Sequence, residues 1–390
     1  MALSDQLPIV VIGAGIVGAA TAFFLSQAGI AVRLLDASAP AAAASGAADG
    51  AVSVASKKPG PLMHAALAGI SVYRALETSG VLAGAFKCRS TLILAQDDAE
   101  AAVLERHAAA LVGAGVRVDW MTDAALRQRV PVLSRSVRAA AEVRGEGHAI
   151  GYQVVHRLIR AAGLRVDRNC RVETLLYSFD RSRVTGVEAG VERIDAAGVV
   201  LAAGGGSAPL IRLENVLKPR KGQLLVTERA GELNKALPGS LMSCRYLMSK
   251  AAAETVGAPS PRGFGLVIDP LRTGQFLIGG TREDGIEATG NDLEAVRRLL
   301  VDAVAILPGL AGLRLLRAFS GVRTATADGM PLIGRMPGVD NLFIATGFEG
   351  DGICLGPLTG RIVSRLVMGQ SPEVDISSFD PGRFAGRLAA

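Results

Sequence analysis

The fold of this chain is decided by Ile9-Val10-Val11-Ile12-Gly13-Ala14-Gly15-Ile16-Val17-Gly18, a stretch close to its N-terminus. The apolar run from Ile9 to Ile12 predicts a buried strand, and the three glycines predict a tight turn that opens a helix. A second apolar run follows and ends at Asp36. A strand, a glycine turn, a helix and a second strand closed by a carboxylate are typical of a site for a nucleotide diphosphate.

Each glycine of the turn has its own role in this prediction. Gly13 permits the turn, Gly15 lets the backbone approach a pyrophosphate, and Gly18 lets the helix pack closely on the strand. Free N–H groups at the helix N-terminus would face the phosphates. Asp36 would accept both ribose hydroxyls and repel a 2′-phosphate, so the pattern predicts FAD or NAD rather than NADP. A glycine turn without a cofactor is the alternative.

Composition narrows the class of protein. The chain has 390 residues, 49% of them hydrophobic and 20% charged, which is typical of a globular protein with two domains. Its net charge of +6 comes from scattered arginines, and only 4% of the residues are aromatic, so a nucleic-acid surface is not predicted. An anionic substrate or an acidic partner protein is compatible with that charge.

Cysteine spacing argues against a metal centre. The four cysteines, Cys88, Cys170, Cys244 and Cys354, form no CxxC pair and no cluster with histidine, so neither a zinc nor an iron–sulfur site is predicted. We expect reduced thiols in a cytoplasmic protein. No apolar stretch has the length of a membrane span, and no basic segment precedes the first strand, so neither a transmembrane segment nor a signal peptide is expected.

Beyond Asp36, the sequence predicts a cofactor loop followed by alternating helices and strands. The Ala37–Gly50 loop, rich in alanine, serine and glycine, is suited to wrapping a cofactor. Helices are predicted at Pro61–Ser79, Ala99–Ala114, Met121–Val130, Tyr152–Ala162, from a cap at Asn291 to Leu307, and at Ile353–Met368. Strands are predicted at Thr91–Leu94, Val184–Val187, Val199–Ala203, Gln223–Thr227, Leu241–Met248, Gly265–Ile268, Gln275–Ile278 and Leu342–Thr346.

Three further blocks sharpen the interpretation. They are Val199–Gly205, the G-x-R and D-G-x-P-x-I-G patterns at Gly321–Arg323 and Asp328–Gly334, and a second glycine turn, Gly347-Phe348-Glu349-Gly350-Asp351-Gly352-Ile353. With the N-terminal turn, these blocks resemble the D-amino-acid-oxidase-like family of FAD enzymes, which includes glycine oxidase, sarcosine oxidase and D-amino acid dehydrogenases. The resemblance covers nearly the whole chain and implies FAD as the cofactor.

A narrower resemblance rests on Lys221–Arg229, Ser243–Lys250 and Leu277–Glu283. These blocks look like the β subunits of heteromeric opine, D-hydroxyproline and L-proline dehydrogenases, and more distantly like the catalytic subunit of hydrogen cyanide synthase. The resemblance implies oxidation of the C–N bond of an amino acid or secondary amine by hydride transfer to flavin N5, with electrons passed to partner subunits. A stand-alone oxidase that forms hydrogen peroxide and a non-catalytic FAD-binding assembly subunit are the alternatives.

The expected architecture is α/β, of the α+β two-domain kind. The FAD-binding domain, with a central parallel sheet, would comprise residues 1–82, 146–215 and 320–390. The substrate-binding domain, with a mostly antiparallel sheet, would comprise residues 83–145 and 216–319. Both domains would be discontinuous, because the chain leaves the nucleotide domain twice and returns.

The resemblance also implies roles for individual side chains. Arg323 would pair with the substrate carboxylate, since a guanidinium matches a carboxylate with two hydrogen bonds; a structural ion pair is the alternative. Tyr246 would close the pocket and hydrogen-bond the substrate, or would be a half-buried residue of a strand. Glu349 and Asp351 would hold a cationic group of the substrate, or would be solvent-exposed acids of the turn.

FAD contacts are expected at both glycine turns and at positions that the family pattern supplies. The expected residues are Gly13, Gly15, Ile16, Val17, Gly18, Asp36, Ala37, Ala44, Ser45, Gly46, Val172, Ala203, Gly204, Gly321, Gly347, Gly350, Asp351, Gly352 and Ile353. Noncovalent FAD is expected, because Ala44–Ala48 and Gly321–Arg323 hold neither the Cys nor the His that family members with a covalent flavin use. The helix after the second turn would stabilise negative charge on the flavin N1–C2=O region.

Overall fold

A computed structural model describes residues 7–249 and 262–384. Its strands are β1 (Ile9–Ile12), β2 (Val32–Leu35), β3 (Ala51–Val52), β4 (Phe86–Ala95), β5 (Val118–Met121), β6 (Ala139–Ala149), β7 (Val166–Asp167), β8 (Thr174–Tyr177), β9 (Val184–Ala189), β10 (Glu192–Asp195), β11 (Gly198–Leu201), β12 (Leu217–Thr227), β13 (Gly239–Ser243), β14 (Gly263–Pro270), β15 (Phe276–Asp284), β16 (Leu315–Thr326), β17 (Leu332–Arg335) and β18 (Leu342–Thr346). Its helices are α1 (Ile16–Gln27), α2 (Pro61–Thr78), α3 (Asp98–Gly113), α4 (Asp123–Arg129), α5 (Gly151–Ala161), α6 (Ala208–Ile211), α7 (Gly231–Lys235), α8 (described over 244–249), α9 (Leu293–Ile306) and α10 (Gly352–Val367). Lys250, the last residue of one block quoted above, lies outside the described residues.

A six-stranded sheet carries the first glycine turn. Its strand order is β17-β18-β11-β1-β2-β7, and every neighbouring pair is parallel except β17 with β18. All four residues of β1 are buried, with Ile9 and Val11 in one apolar cluster and Val10 and Ile12 in another. Both faces of the strand are therefore covered, as is usual for a parallel strand. Each such side chain contributes on the order of 1.5–3 kcal/mol by its burial.

A larger sheet forms the second layer of the molecule. Its order is β16-β12-β15-β14-β13-β4-β6-β3, with β5 paired to β6. All of its pairs are antiparallel except β13 with β4. A small antiparallel sheet, β10-β9-β8, completes the strands. The expected combination of a mainly parallel sheet with a mostly antiparallel one is confirmed.

Two local predictions are wrong. The stretch Leu241–Met248 is not one strand, because β13 ends at Ser243 and residues 244–249 are helical. Serine favours a helix start, and Oγ of Ser243 accepts a hydrogen bond from the Arg245 N–H at 3.3 Å. Tyr246 therefore lies on a helix.

The cap of α9 is the second correction. Asp292, rather than Asn291, accepts the backbone N–H groups of Glu294 and Ala295, at 2.8 and 3.2 Å. The two residue types cap helices about equally well, so sequence preference does not separate these neighbours. The amide of Asn291 instead donates to the carbonyl of Ala318 on β16, at 2.9 Å.

Two of the expected domain boundaries fall inside strands. The 145/146 boundary lies within β6 and the 319/320 boundary lies within β16. β3, from the segment assigned to the FAD domain, pairs with β6 in the larger sheet. The division into two domains stays a prediction. Within residues 7–249 and 262–384, no helix combines the length and the apolar character that crossing a membrane requires.

Candidate functional site

The first glycine turn lies at the carboxyl end of β1, as the sequence predicts. Gly13 has φ +101°, and a Cβ there would come within 2.5 Å of the Ala202 carbonyl oxygen, so only glycine fits. Ala203 and Gly204 come shortly after β11, and Cα of Ala203 lies beside this turn. α1 begins at Ile16, whose N–H donates to Oγ of Ser45 at 3.0 Å. The turn, the helix N-terminus and the Ala44–Gly46 loop thus form a cradle for a pyrophosphate.

Asp36 is tied to this turn in the structure. Its Oδ2 accepts the Ala14 N–H and its Oδ1 accepts the Ser38 N–H, both at 2.8 Å. A carboxylate has about four acceptor positions, so capacity is left for ribose hydroxyls. The segment before Val172 runs beside this end of β2, because the Cys170 N–H donates to the Asp36 carbonyl at 2.9 Å. The predicted adenosine-side residues are therefore brought together.

The second glycine turn follows β18 at the same sheet edge. Gly347 has φ +79°, and a Cβ there would come within 2.4 Å of the Thr326 side chain. α10 begins at Gly352, directly after Asp351. The hydroxyl of Thr346 donates to the Gly204 carbonyl at 2.9 Å and joins the ends of β18 and β11. Both turns therefore open toward one region of the molecule.

A cavity of about 110 Å³ lies between this edge and the larger sheet. Its walls include Ile16, Ala44 and Ser45 from the cofactor side and β12, β15 and β16 from the sheet. Gly321, Gly350, Gly352 and Ile353, all predicted cofactor contacts, line it as well. Its ionisable side chains are Asp49, Tyr246, Arg282, Arg323 and Glu349.

Arg323 lies on the cavity wall as predicted, and it is held by the protein. Its Nη2 donates to the Thr281 carbonyl at 2.8 Å, and its Nη1 donates to Oε1 of Glu349 at 3.3 Å. The backbone contact fixes one edge of the guanidinium. The remaining N–H groups belong to a planar donor set that suits a carboxylate.

The two acids of the second turn differ in their surroundings. Glu349 lines the cavity, and its Oε1 is 3.2 Å from Nη1 of Arg220 as well as being bonded to Arg323. Asp351 instead pairs with Lys57, Nζ to Oδ1 at 2.5 Å. Because the Lys57 side chain is 6% exposed, this is a buried ion pair at the start of α10. Asp351 is thus engaged by the protein, and Glu349 is the acid on the cavity wall.

Tyr246 reaches the cavity from α8 together with a second arginine. The guanidinium of Arg282 lies over the Tyr246 ring, 5.3 Å from its centroid, and its Nη2 donates to Oγ of Ser249 at 3.1 Å. Among the described residues, no carboxylate forms an ion pair with Arg282. Of the two arginines on the cavity wall, Arg323 is paired with Glu349, whereas Arg282 has no ion-pair partner among the described residues.

The blocks behind the narrower resemblance form the support of this wall. The Gln223 amide and the Thr281 hydroxyl both donate to Oε1 of Glu283 at 2.9 Å, and the Gln223 N–H donates to the Thr281 hydroxyl at 3.1 Å. Burial alone would raise the pKa of Glu283, but these bonds and the nearby Lys221 and Arg262 lower it. This ionised network fixes Thr281, whose carbonyl holds Arg323.

Sequence reasoning missed four residues of the site: Asp49, Lys57, Thr281 and Arg282. Asp49 was the only carboxylate in the Ala37–Gly50 loop, and that isolation was the available signal. Lys57 gave none, because its partner is remote in sequence. Thr281 and Arg282 lay in a quoted block, but only the pairing of β12 with β15 shows which of its residues face the cavity.

The fold and this site together define a flavoprotein of the dinucleotide-binding class. The chain matches the family model for FAD-dependent oxidoreductases (DAO) over residues 8–366. It belongs to this family and is an FAD-dependent oxidoreductase. The residues around the first turn fit that cofactor, because the glycine cradle, the N-terminus of α1 and the Asp36 carboxylate are in place.

Two curated relatives and one solved structure illustrate the likeness. Glycine oxidase from Pseudomonas aeruginosa is 30% identical over 292 residues, which cover 73% of this chain and 67% of that protein. The hydrogen cyanide synthase subunit HcnC from Pseudomonas protegens is 28% identical over 69% of this chain and 60% of that subunit. The crystal structure of L-proline dehydrogenase from P. horikoshii superposes with a TM-score of 0.84 at 20% identity, covering 98% of this chain and 99% of that one. The last match shows a shared fold.

Proposed function

We propose that this protein oxidises the CH–NH bond of an amino acid or secondary amine, with FAD as the electron acceptor. The observation that carries the proposal is Arg323, a guanidinium held by the Thr281 carbonyl on the wall of a cavity that the predicted cofactor residues also line. An α-carboxylate bound there would fix the substrate relative to the cofactor. Such positioning is a large part of what an enzyme supplies for this kind of reaction.

The chain's own residues bind and orient in this proposal. Arg323 holds the carboxylate, and Tyr246 closes one side of the cavity. The N-terminus of α10 places its partial positive charge at the cofactor side of the cavity. FAD, when bound, supplies the site that accepts two electrons.

An opine-type substrate is the finer proposal. Opines are secondary amines that carry two carboxylates, and the cavity holds two arginines. Arg282 lies over the Tyr246 ring, whereas the Glu349 carboxylate pairs with Arg323. A second carboxylate on Arg282 would therefore bind without displacing an existing ion pair. Proline and hydroxyproline, with one carboxylate, would use Arg323 alone.

We further propose that the chain is a subunit of a heteromeric dehydrogenase. The support is the resemblance of Lys221–Arg229 and Ser243–Lys250 to complex-forming β subunits. Its four cysteines are free, in keeping with a cytoplasmic location. Without an iron–sulfur cysteine pattern in the sequence, electrons leaving the flavin need an acceptor from outside the chain.

Anaerobic mixing of the purified FAD-loaded chain with amines tests the activity. Glycine, sarcosine, L-proline, hydroxyproline and an opine such as N-(1-carboxyethyl)arginine form the panel. Loss of the yellow flavin absorption with one of them supports an enzyme, and the identity of that amine selects the substrate class. No loss with any amine overturns the proposal and favours the non-catalytic assembly subunit.

Admitting air then separates the two enzyme alternatives. A dehydrogenase subunit should regain its colour slowly, and an artificial dye or the partner subunits should restore turnover. Rapid recovery with one peroxide formed per substrate would overturn the complex and favour a stand-alone oxidase.

A further inference from the structure

Asp49 presents its side chain to the cavity without an ion-pair partner among the described residues. Its Oδ1 accepts the Ala51 N–H at 3.1 Å. Among the described residues it forms no ion pair, and its side chain lines the same cavity as Arg323. A buried charge is normally paired because burial without a partner is costly. An unpaired carboxylate facing a ligand cavity therefore indicates a cationic partner on the ligand.

The backbone holds Asp49 in place. Gly50 has φ +91°, and a Cβ there would come within 2.3 Å of the Ala149 carbonyl oxygen, so the chain next to Asp49 is tightly packed. The Asp49 carbonyl is bonded to Nε2 of His148 at 2.8 Å. Burial, with the charge of Arg89 nearby, lowers the pKa of His148 to about 3. His148 is thus neutral and acts as a fixed donor to the backbone.

The charged groups around Asp49 oppose one another. Arg323 from β16 favours its ionised form, and Asp269 from β14 disfavours it. Arg89 from β4 is paired with Asp269. Glu349, Tyr246 and Arg282 are the other ionisable residues that line the cavity. Burial and the Asp269 charge together raise the pKa of Asp49 above its ordinary value. A carboxylate with a raised pKa is a better proton acceptor near neutral pH.

We propose that Asp49 is the group that binds the substrate ammonium and takes its proton. The inference rests on the proposed amine oxidation and adds the residue that makes the amine reactive. In the step, one N–H bond of the ammonium breaks and an O–H bond forms on the carboxylate. Ammonium and carboxylate become neutral amine and neutral carboxyl, so charge and atoms balance and no oxidant takes part. The lone pair freed on nitrogen is what permits oxidation of the adjacent C–H bond.

Arg323 and Asp49 then form one recognition pair. The Arg323 guanidinium binds the carboxylate of an amino acid, and the Asp49 carboxylate binds its ammonium group. The zwitterion therefore meets an opposite charge at each end. This arrangement selects an amine next to a carboxylate over a hydroxy acid, because a hydroxyl brings no positive charge to pair with Asp49.

Asp49→Asn tests the step, with Asp49→Glu as the conservative variant. Asparagine keeps the oxygen that accepts the Ala51 N–H, so the loop retains its bond; circular dichroism and flavin content check folding. The rate of anaerobic flavin reduction by the best amine of the panel is measured against pH. We expect flavin reduction in the Asn variant to be slower near pH 7 by about 10²–10⁴-fold. Its rate should recover as pH rises toward the pKa of the free amine. The Glu variant should keep a pH dependence of the rate close to that of the native protein.

A binding measurement gives a second readout that does not depend on turnover. Tetrahydro-2-furoate has the ring and carboxylate of proline but an ether oxygen in place of the amine. Perturbation of the flavin spectrum should show tighter binding of this probe to Asp49→Asn than to the native protein, because repulsion of the ether oxygen is removed. An unchanged pH profile and unchanged probe affinity in Asp49→Asn, in a protein that an amine does reduce, would overturn this inference alone. If no amine reduces the native protein, the proposed function and this inference fail together.

Discussion

Arg323 and Glu349 form an ion pair on the cavity wall, with Nη1 and Oε1 3.3 Å apart, and the same Glu349 oxygen lies 3.2 Å from Nη1 of Arg220. The carboxylate is shared between two guanidinium groups, so a substrate carboxylate bound at Arg323, as proposed, would compete with Glu349.

Glu349→Gln should therefore tighten binding of a monocarboxylate such as proline. Removing the competing charge leaves Arg323 more available, by about 1 kcal/mol or roughly fivefold in the dissociation constant. The constant comes from the substrate dependence of flavin reduction. Weaker binding would contradict this and indicate that Glu349 contacts a cationic group of the substrate directly.

Arg323→Lys should weaken substrate binding far more than FAD binding. Lysine keeps the charge and loses the planar pair of donors, which is worth about 1.5–3 kcal/mol and raises the dissociation constant roughly tenfold to a hundredfold. Arg297→Lys is the control, since Arg297 pairs with Glu294 on the exposed face of α9. Equal constants in both variants would make Arg323 a structural residue.

Arg282→Met should discriminate between substrate classes. An opine-type dicarboxylate should lose about tenfold or more in affinity because a charge-assisted bond is removed, while proline binding should stay the same. Arg298→Met is matched to it: Arg298 also lies over an aromatic ring, that of Phe264, and is not part of the cavity lining. Loss of affinity for both substrate classes would indicate that Arg282 acts by packing on Tyr246 rather than by binding a second carboxylate.

The buried pair of Lys57 and Asp351 should behave as a unit in stability measurements. Lys57→Met or Asp351→Asn alone leaves one partner uncompensated and should cost about 3–5 kcal/mol, and the double variant should cost less than the sum. Burial alone would lower the pKa of Lys57, but the charge and hydrogen bond of Asp351 raise it above 10.5. On the alkaline side, the contribution of protonated Lys57 is therefore complete below pH 10.5 and is lost as pH rises through the raised value. Urea unfolding with excess FAD measures both effects; additive costs would contradict the coupling.

Acid precipitation checks the cofactor linkage. All the yellow colour should appear in the supernatant, because Ala44–Ala48 and Gly321–Arg323, where the family resemblance implies that a covalent flavin would be attached, carry neither Cys nor His. Colour that stays with the washed pellet would identify a covalent bond.

The fold was predictable where the signal was local. The glycine turn after β1, the parallel strands and the FAD family followed from contiguous residues, and the structure and the comparisons confirm the fold class and the cofactor. The strand at Leu241–Met248 was predicted wrongly because Ser243 starts a helix inside an apolar run. Partners distant in sequence, such as Lys57 with Asp351 or Thr281 with Arg323, left no local pattern, since tertiary packing alone brings them together.

One short loop contributes to both halves of the candidate site. Oγ of Ser45 accepts a hydrogen bond from the Ile16 N–H at the first glycine turn. Four residues later, Asp49 lines the cavity. Ala47, between them, packs closely on Gly321, because a Cβ added at Gly321 would lie 2.5 Å from the Ala47 side chain. Gly321 is two residues from Arg323 on β16. Ordering of this loop by the cofactor would therefore preorganise both groups that we propose bind the amino acid. The coupling free energy between two ligands is the same in both directions, so a cofactor that tightens substrate binding is itself bound more tightly, by the same factor, when substrate is present.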